Sequence, residues 1–264
     1  SLILATGGSA MVRAAYSSGT PALGVGPGNV PAFIEKTADI KMAVSRIIAG
    51  KIFDNGVICA SEQAVVVERE IYKEVKKEFI NQGCYFVNEE EKLKMEKIID
   101  TPYGSLNAKI VGKTASQLAD MAKIEVPEDT KIIIAEETGV GKGYPFSREK
   151  LSPILAFYVE DDWKKGCDKC IELLDYGGMG HTLGIHSNDK DIIMEFALRK
   201  PASRIIVNSP TTHGAIGATT NLAPALTLGC GAVGGSATSD NVSPMNLINI
   251  RRLAYGKSEA EDLK

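Results

Sequence analysis

Residues 32–68 read AFIEKTADIKMAVSRIIAGKIFDNGVICASEQAVVVE, and this stretch decides the fold. Ala32 to Glu35 is an apolar run of strand length. Asp39 stands where a helix N-cap belongs, and behind it Ile40, Ala43, Val44, Ile47 and Ile48 share one face at helical spacing. Gln63 to Glu68 is again β-branched and apolar, so the hydrophobic period passes from strand to helix and back to strand. The same alternation continues downstream. Short apolar runs fall at Cys84 to Val87, Lys131 to Ala135, Ile154 to Val159, Thr182 to His186 and Arg204 to Val207. Helical patterns fall at Ile71 to Asn81, Glu89 to Ile99, Thr114 to Lys123, Trp163 to Asp175 and Lys190 to Arg199. Strands nearly continuous in apolar residues and separated by helices predict an α/β fold, an open parallel sheet covered by helices on both faces.

The flanks are less regular. Ser1 to Ala5 reads as a strand, Thr6 to Ser9 as a glycine turn and Ala10 to Ser18 as a short helix, one βα unit without its neighbours. Gly24 to Asn29 is a glycine-rich crossing. Thr211 to Asn241 is dominated by small residues and reads as ordered loop; Asn246 to Tyr255 alternates weakly as a strand, and Lys257 to Lys264 as a frayed tail. The chain opens inside an apolar run with no initiator Met, as a piece of a longer polypeptide would.

The 264 residues are 44% hydrophobic and 24% charged with a net charge of -3, the composition of a globular protein without a basic patch for nucleic acid or a membrane surface. No apolar run approaches the roughly 20 residues that span a bilayer. Five scattered cysteines, an odd number, argue for a reducing, cytoplasmic setting rather than a disulfide framework.

Cys59 lies in the loop between a helix and a strand, where a thiol can meet a cleft and neighbouring amides can receive an oxyanion. His181, in Gly178-Met179-Gly180-His181-Thr182, stands on a flexible turn entering a strand and is a candidate acid/base. Gly139 to Gly143 lacks the Ser or Thr of a phosphate loop after Lys142, and Gly24 to Asn29 is followed by a strand rather than a helix. Cys167-Asp168-Lys169-Cys170 shares an apolar helical stripe with Trp163, Ile171 and Leu174, so packing rather than metal or redox use accounts for it; no metal site is expected.

Ala5-Thr6-Gly7-Gly8-Ser9, Leu23 to Asn29, Phe53 to Gln63, Phe146 to Pro153, Gly180-His181-Thr182 and the run from Gly214 through Gly231 occur in an order that resembles the aldehyde dehydrogenase superfamily, and within it the CoA-acylating branch. The resemblance covers the chain nearly end to end. It implies a remnant of a Rossmann-like dinucleotide-binding domain over 1–24, a catalytic, thioester-forming domain over 25–230, and a return segment with an oligomerisation strand and tail over 231–264. It makes Cys59 the nucleophile and Glu149 the carboxylate that holds the nicotinamide ribose, and it puts Thr6, Gly7, Gly8 and Ser9 near the cofactor phosphates. The implied cofactor is NAD or NADP, with CoA as co-substrate, a small aldehyde as substrate and a homodimer or larger homo-oligomer as the assembly. The setting is cytoplasmic, with the interior of a bacterial microcompartment as an alternative.

Hydrolytic relatives clear the thioester with a glutamate whose place falls on Gly24, and Ser1 to Ile34 contains no Asp or Glu. Water thus lacks its general base while a thiol needs less help, so acyl-CoA is the implied product. The competing readings are a hydrolytic or phosphate-linked relative and a non-catalytic assembly module of the same fold. Taken alone, the 264 residues are expected to fold without turning over.

Overall fold

The computed structural model describes residues 2–263. A two-stranded parallel sheet opens the chain, β1 (Ile3–Thr6) pairing β2 (Ala22–Val25) with α1 (Ser9–Ser17) between them. Gly24 is therefore inside a strand rather than in the glycine crossing, which begins after Val25. A Cβ there would meet Val12 and Tyr16 of α1 at 2.8 Å, which explains the glycine and blocks any larger residue.

The chain then builds β3 (Val30–Ile34), α2 (Ile40–Ile52), β4 (Glu62–Glu68), α3 (Tyr72–Asn81), β5 (Cys84–Phe86), α4 (Glu89–Ile99), α5 (Ala115–Ala122), β6 (Ile132–Glu136), β7 (Ile154–Glu160), α6 (Trp163–Gly177), β8 (Gly180–His186), α7 (Lys190–Arg199) and β9 (Ala202–Val207). Its seven strands form one parallel sheet in the order β5-β6-β7-β4-β3-β8-β9. The α2 cap is as the sequence predicts, with Asp39 Oδ1 accepting from Met42 N at 3.0 Å.

Alternation along β3 sorts the two cores. Ala32 and Ile34 face Val44 and Ile47 of α2, while Phe33 points to the opposite layer, where it stacks on Phe196 of α7 at 4.8 Å. All five residues of β3 and all seven of β4 are buried, as central strands covered on both faces require.

Two expectations fail. The stretch from Thr211 to Asn241 contains a short helix, α8 (Thr211–Ala215), because the Glu62 carboxylate accepts from Thr211 N at 2.7 Å and caps it from outside. Asn246 to Tyr255 is not a strand: a 3-10 turn covers Pro244–Leu247, and no ladder follows. A strand needs a partner backbone, and none lies alongside within the described residues; Leu247, Ile248, Ile250, Leu253 and Tyr255 are exposed instead. Ser1 and Lys264, the ends of the predicted first strand and tail, lie outside the described residues.

Candidate active site

Four neighbouring strands, β7, β4, β3 and β8, begin at one edge of the sheet; the loops entering the first three carry Glu149, Cys59 and Gly28, and the start of β8 carries His181. Before Cys59, Asp54, Asn55 and Gly56 take left-handed φ of 49°, 48° and 73°, a strained turn pinned by Asn55 Nδ2 donating to Gly112 O at 3.1 Å. The thiol emerges half-buried and lies 3.1 Å from His181 Nε2. The flexible-turn reading of His181 is wrong: the residue is the second of β8 and fully buried. Its Nδ1 is 2.9 Å from Thr182 Oγ1, a hydroxyl that can accept from a protonated Nδ1, and in that tautomer Nε2 is left to accept from the thiol.

Gly28 is the keystone of the cluster. A Cβ on it would stand 2.1 Å from Cys59 O and 3.4 Å from His181 Cγ, and its amide donates to Glu149 Oε1 at 2.9 Å. Gly28 thus bonds the Glu149 carboxylate and, having no side chain, leaves room for the Cys59 backbone and the His181 ring beside it.

Burial pushes the Cys59 thiol up to about 12, with the charges of Glu149 and Cys230 adding to it and the cation of Arg204 opposing. Burial, with Arg204, pushes His181 down to about 3. The resting pair is therefore a neutral thiol and a neutral imidazole, poised for a proton to move as the sulfur attacks. Burial raises Glu149 to about 7 against the Gly28 amide, which favours its anion.

A buried polar layer, not foreseen as part of the site, supports these loops. Lys150 Nζ donates to the carbonyls of Gln63, Phe146 and Arg148 at 3.0, 2.6 and 2.7 Å, and Lys51 Nζ to Gln63 Oε1 at 3.3 Å. Both lysines and Glu62 are fully buried. The signal available was clearest at Lys51, a charge amid small and apolar residues, whereas Lys150 follows Arg148 and Glu149 and stood out less; both lie within stretches already recognised.

Thr6 to Ser9 fall at the end of β1 and the start of α1 and are not brought to Cys59. Gly7 N donates to Val25 O at 3.1 Å, and Ser9 borders a cavity of about 480 Å³ shared with Gly26, Pro27 and Cys230. A second, apolar cavity of about 830 Å³ is lined by Phe53, Ile58, Ile216 and Leu226, so it reaches the residue before Cys59. Cys167 and Cys170 are buried in α6, and among the described residues no three His, Cys, Asp or Glu side chains are grouped so that they could hold a metal ion.

Residues 2–144, more than half of the chain, match the sequence profile of the aldehyde dehydrogenase family. The chain belongs to that family. It is 48% identical over 261 residues to aldehyde-alcohol dehydrogenase 2 of Entamoeba histolytica, covering 96% of this chain and 30% of the relative. It superposes with TM-score 0.95 and 56% identity on an acetylating aldehyde dehydrogenase from Geobacillus thermoglucosidasius, over 98% of this chain and 57% of that one. A propionaldehyde dehydrogenase from Rhodopseudomonas palustris, solved with bound CoA and an acylated cysteine, matches at 29% identity and TM-score 0.80, over 90% of this chain and 53% of that one. The chain thus spans about a third of that curated relative and just over half of those solved aldehyde dehydrogenases.

Proposed function

We propose that this chain carries the acyl-transfer centre of a CoA-acylating, nicotinamide-dependent aldehyde dehydrogenase. The observation that carries the reading is the 3.1 Å approach of Cys59 Sγ to an imidazole nitrogen that burial keeps neutral. The sulfur adds to the aldehyde carbon while His181 Nε2 takes the thiol proton; loss of a hydride from the adduct to a bound nicotinamide would leave the thioester on Cys59, and the imidazole gives its proton up to solvent. The thiol of CoA then adds to the thioester carbon, and its proton passes through the same imidazole to the departing Cys59 sulfur. The apolar cavity beside Ile58 suits the carbon chain of the aldehyde.

A bound nicotinamide would supply the hydride acceptor. The donor set fits its ribose: Glu149 is partly exposed, and the Gly28 amide engages only Oε1, so a carboxylate oxygen is available for hydroxyl donors. Thr6 to Ser9, partly exposed around the N-terminus of α1, suit the cofactor phosphates.

Support for CoA over water comes from β2, where Gly24 has no room for a carboxylate. One observation favours the hydrolytic reading. Glu149 reaches the site from far along the chain, its charge is felt at Cys59, and it titrates near 7, as a general base does. Acylation decides between them without any cofactor. Acetyl-CoA mixed with the chain should transfer its acetyl group to Cys59 and release free CoA, seen by intact mass and peptide mapping, and the thioester should outlast the assay until thiol is added. Absence of label at Cys59 removes the acyl-transfer reading; rapid loss of label to free acetate selects hydrolysis.

Assembly belongs to the same proposal. The exposed apolar segment from Leu247 to Tyr255 would pair with a second copy, giving a homodimer by light scattering. No described helix is long and apolar enough to cross a membrane, and a cytoplasmic or encapsulated setting is part of this reading.

A further inference from the structure

Arg204 on β9 is buried and forms no ion pair among the described residues. Its guanidinium is nonetheless fully engaged. Nε donates to Asn241 Oδ1 at 2.9 Å, Nη1 to His181 O at 3.1 Å and to Gly229 O at 2.9 Å, and Nη2 to Gly229 O and to Ser239 O at 3.4 Å. Every acceptor is neutral. A buried charge is costly without a counter-ion, and arginine cannot escape by losing its proton, so a positive potential persists inside the protein.

The groups whose charge bears on it are the thiols of Cys230 and Cys59 and the carboxylate of Asp240. Asp240 is exposed and already accepts from Asn246 Nδ2 at 2.8 Å. Cys59 is the one of the three in contact with a base, since His181, whose carbonyl Arg204 holds, meets the thiol with its ring. Around Cys59 stand His181 from β8, Glu149 from the loop before β7, Cys230 from the segment after α8, and Arg204 from β9. Glu149 opposes an anionic sulfur and Arg204 favours one. Protonation of Glu149 near pH 7 removes the opposing charge and leaves that of Arg204.

We propose that Arg204 is a positioning residue for the acyl-transfer chemistry: its unpaired positive charge favours the anionic sulfur of Cys59, and its bond to His181 O holds the imidazole that receives the thiol proton. The inference rests on Cys59 as the nucleophile. It extends to the anionic oxygen formed when that sulfur adds to a carbonyl, which gains from the same potential.

The test is the rate of Cys59 alkylation by iodoacetamide against pH, read by peptide mapping, because below the thiol's midpoint the rate follows the fraction of anion. Arg204→Met should slow alkylation by about tenfold at each pH, the equivalent of a one-unit rise in midpoint. Arg204→Lys keeps the charge but loses the fork, and should stay within about threefold of the parent. Met and parent reacting alike would overturn the proposal, and equal slowing in Met and Lys would reduce the residue to a structural support. If Arg204→Met does not melt cooperatively, Arg204→Gln against Arg204→Lys makes the same comparison. Failure of Cys59 to react in the parent chain would instead sink the nucleophile reading itself, a result distinct from either.

Discussion

Cys59 Sγ and His181 Nε2 lie 3.1 Å apart across 122 residues of chain. The loop entering β4 and the first residues of β8 flank the entry to β3, and Gly28 in that entry lets them close. Removal of either partner should show this dependence. Cys59→Ala should abolish acylation by acetyl-CoA, and His181→Ala should slow it by about 10²–10⁴-fold, the usual worth of a positioned base. Cys167→Ala and Cys170→Ala should leave the acylation rate intact and only lower the melting temperature. Acylation of Cys59→Ala at the parental rate would refute the assignment.

Glu149 should act on the thiol in a pH-dependent way. Its charge raises the Cys59 pKa, and it carries that charge only above about 7. Glu149→Gln should therefore be alkylated at Cys59 faster than the parent above pH 7, by roughly three- to tenfold, with the two curves merging below it. Parallel curves over the whole range would show that the carboxylate does not sense the thiol.

Gly28→Ala should damage the site through shape alone. With Cys59 O 2.1 Å from the new methyl group, the loop must move, at a cost of about 1–3 kcal/mol in stability. Alkylation of Cys59 should fall at least about tenfold while circular dichroism stays native. Unchanged reactivity in Gly28→Ala would mean that the loop yields freely and that its position is not critical.

Acid stability should report two buried histidines. Burial first, then Arg204 for His181 and Arg46 for His186, holds both near 3 against an ordinary 6.5. Each contributes stability that is present above 6.5 and lost as pH falls toward 3. Glu62 and Glu149, raised from 4.5 to about 7, act with the opposite sign, their contribution being lost as pH rises between those values. From 6.5 to 4.5 the two pairs oppose each other; below 4.5 the histidines act without that opposition and stability should drop steeply. Neither ring nitrogen of His186 has a hydrogen-bond partner, so His186→Phe should lose no such bond. Its advantage in urea unfolding should grow on acidification by up to about 1.4 kcal/mol per pH unit. An advantage independent of pH would show that His186 protonates freely in the folded chain.

Much of this was legible in the residues. The helix at Asp39, the strands on either side and the alternation through Val207 follow from local periodicity, because a strand or helix shows its buried face within a few neighbouring positions. Cys59 and Glu149 stood out through the motifs around them. The strand forecast for Asn246 to Tyr255 failed because a ladder depends on a partner backbone, which no local pattern supplies. The helix at Thr211 was missed for a related reason, since its cap is the Glu62 carboxylate, 149 residues away in sequence.

The sequence by itself determined an α/β chain with a thiol in a helix-to-strand loop, a histidine just ahead of a late strand's apolar run, and no acid before Glu35. Tertiary structure alone decided that the entries of β7, β4, β3 and β8 lie side by side, because strand order depends on how whole elements pack and not on the residues within any one. That order makes a neutral imidazole the neighbour of Cys59, sets Gly28, bonded to Glu149, against both, and leaves Arg204 a cation without an anion. Burial and the arrangement of distant charges set the protonation of these groups, and both are properties of the folded chain.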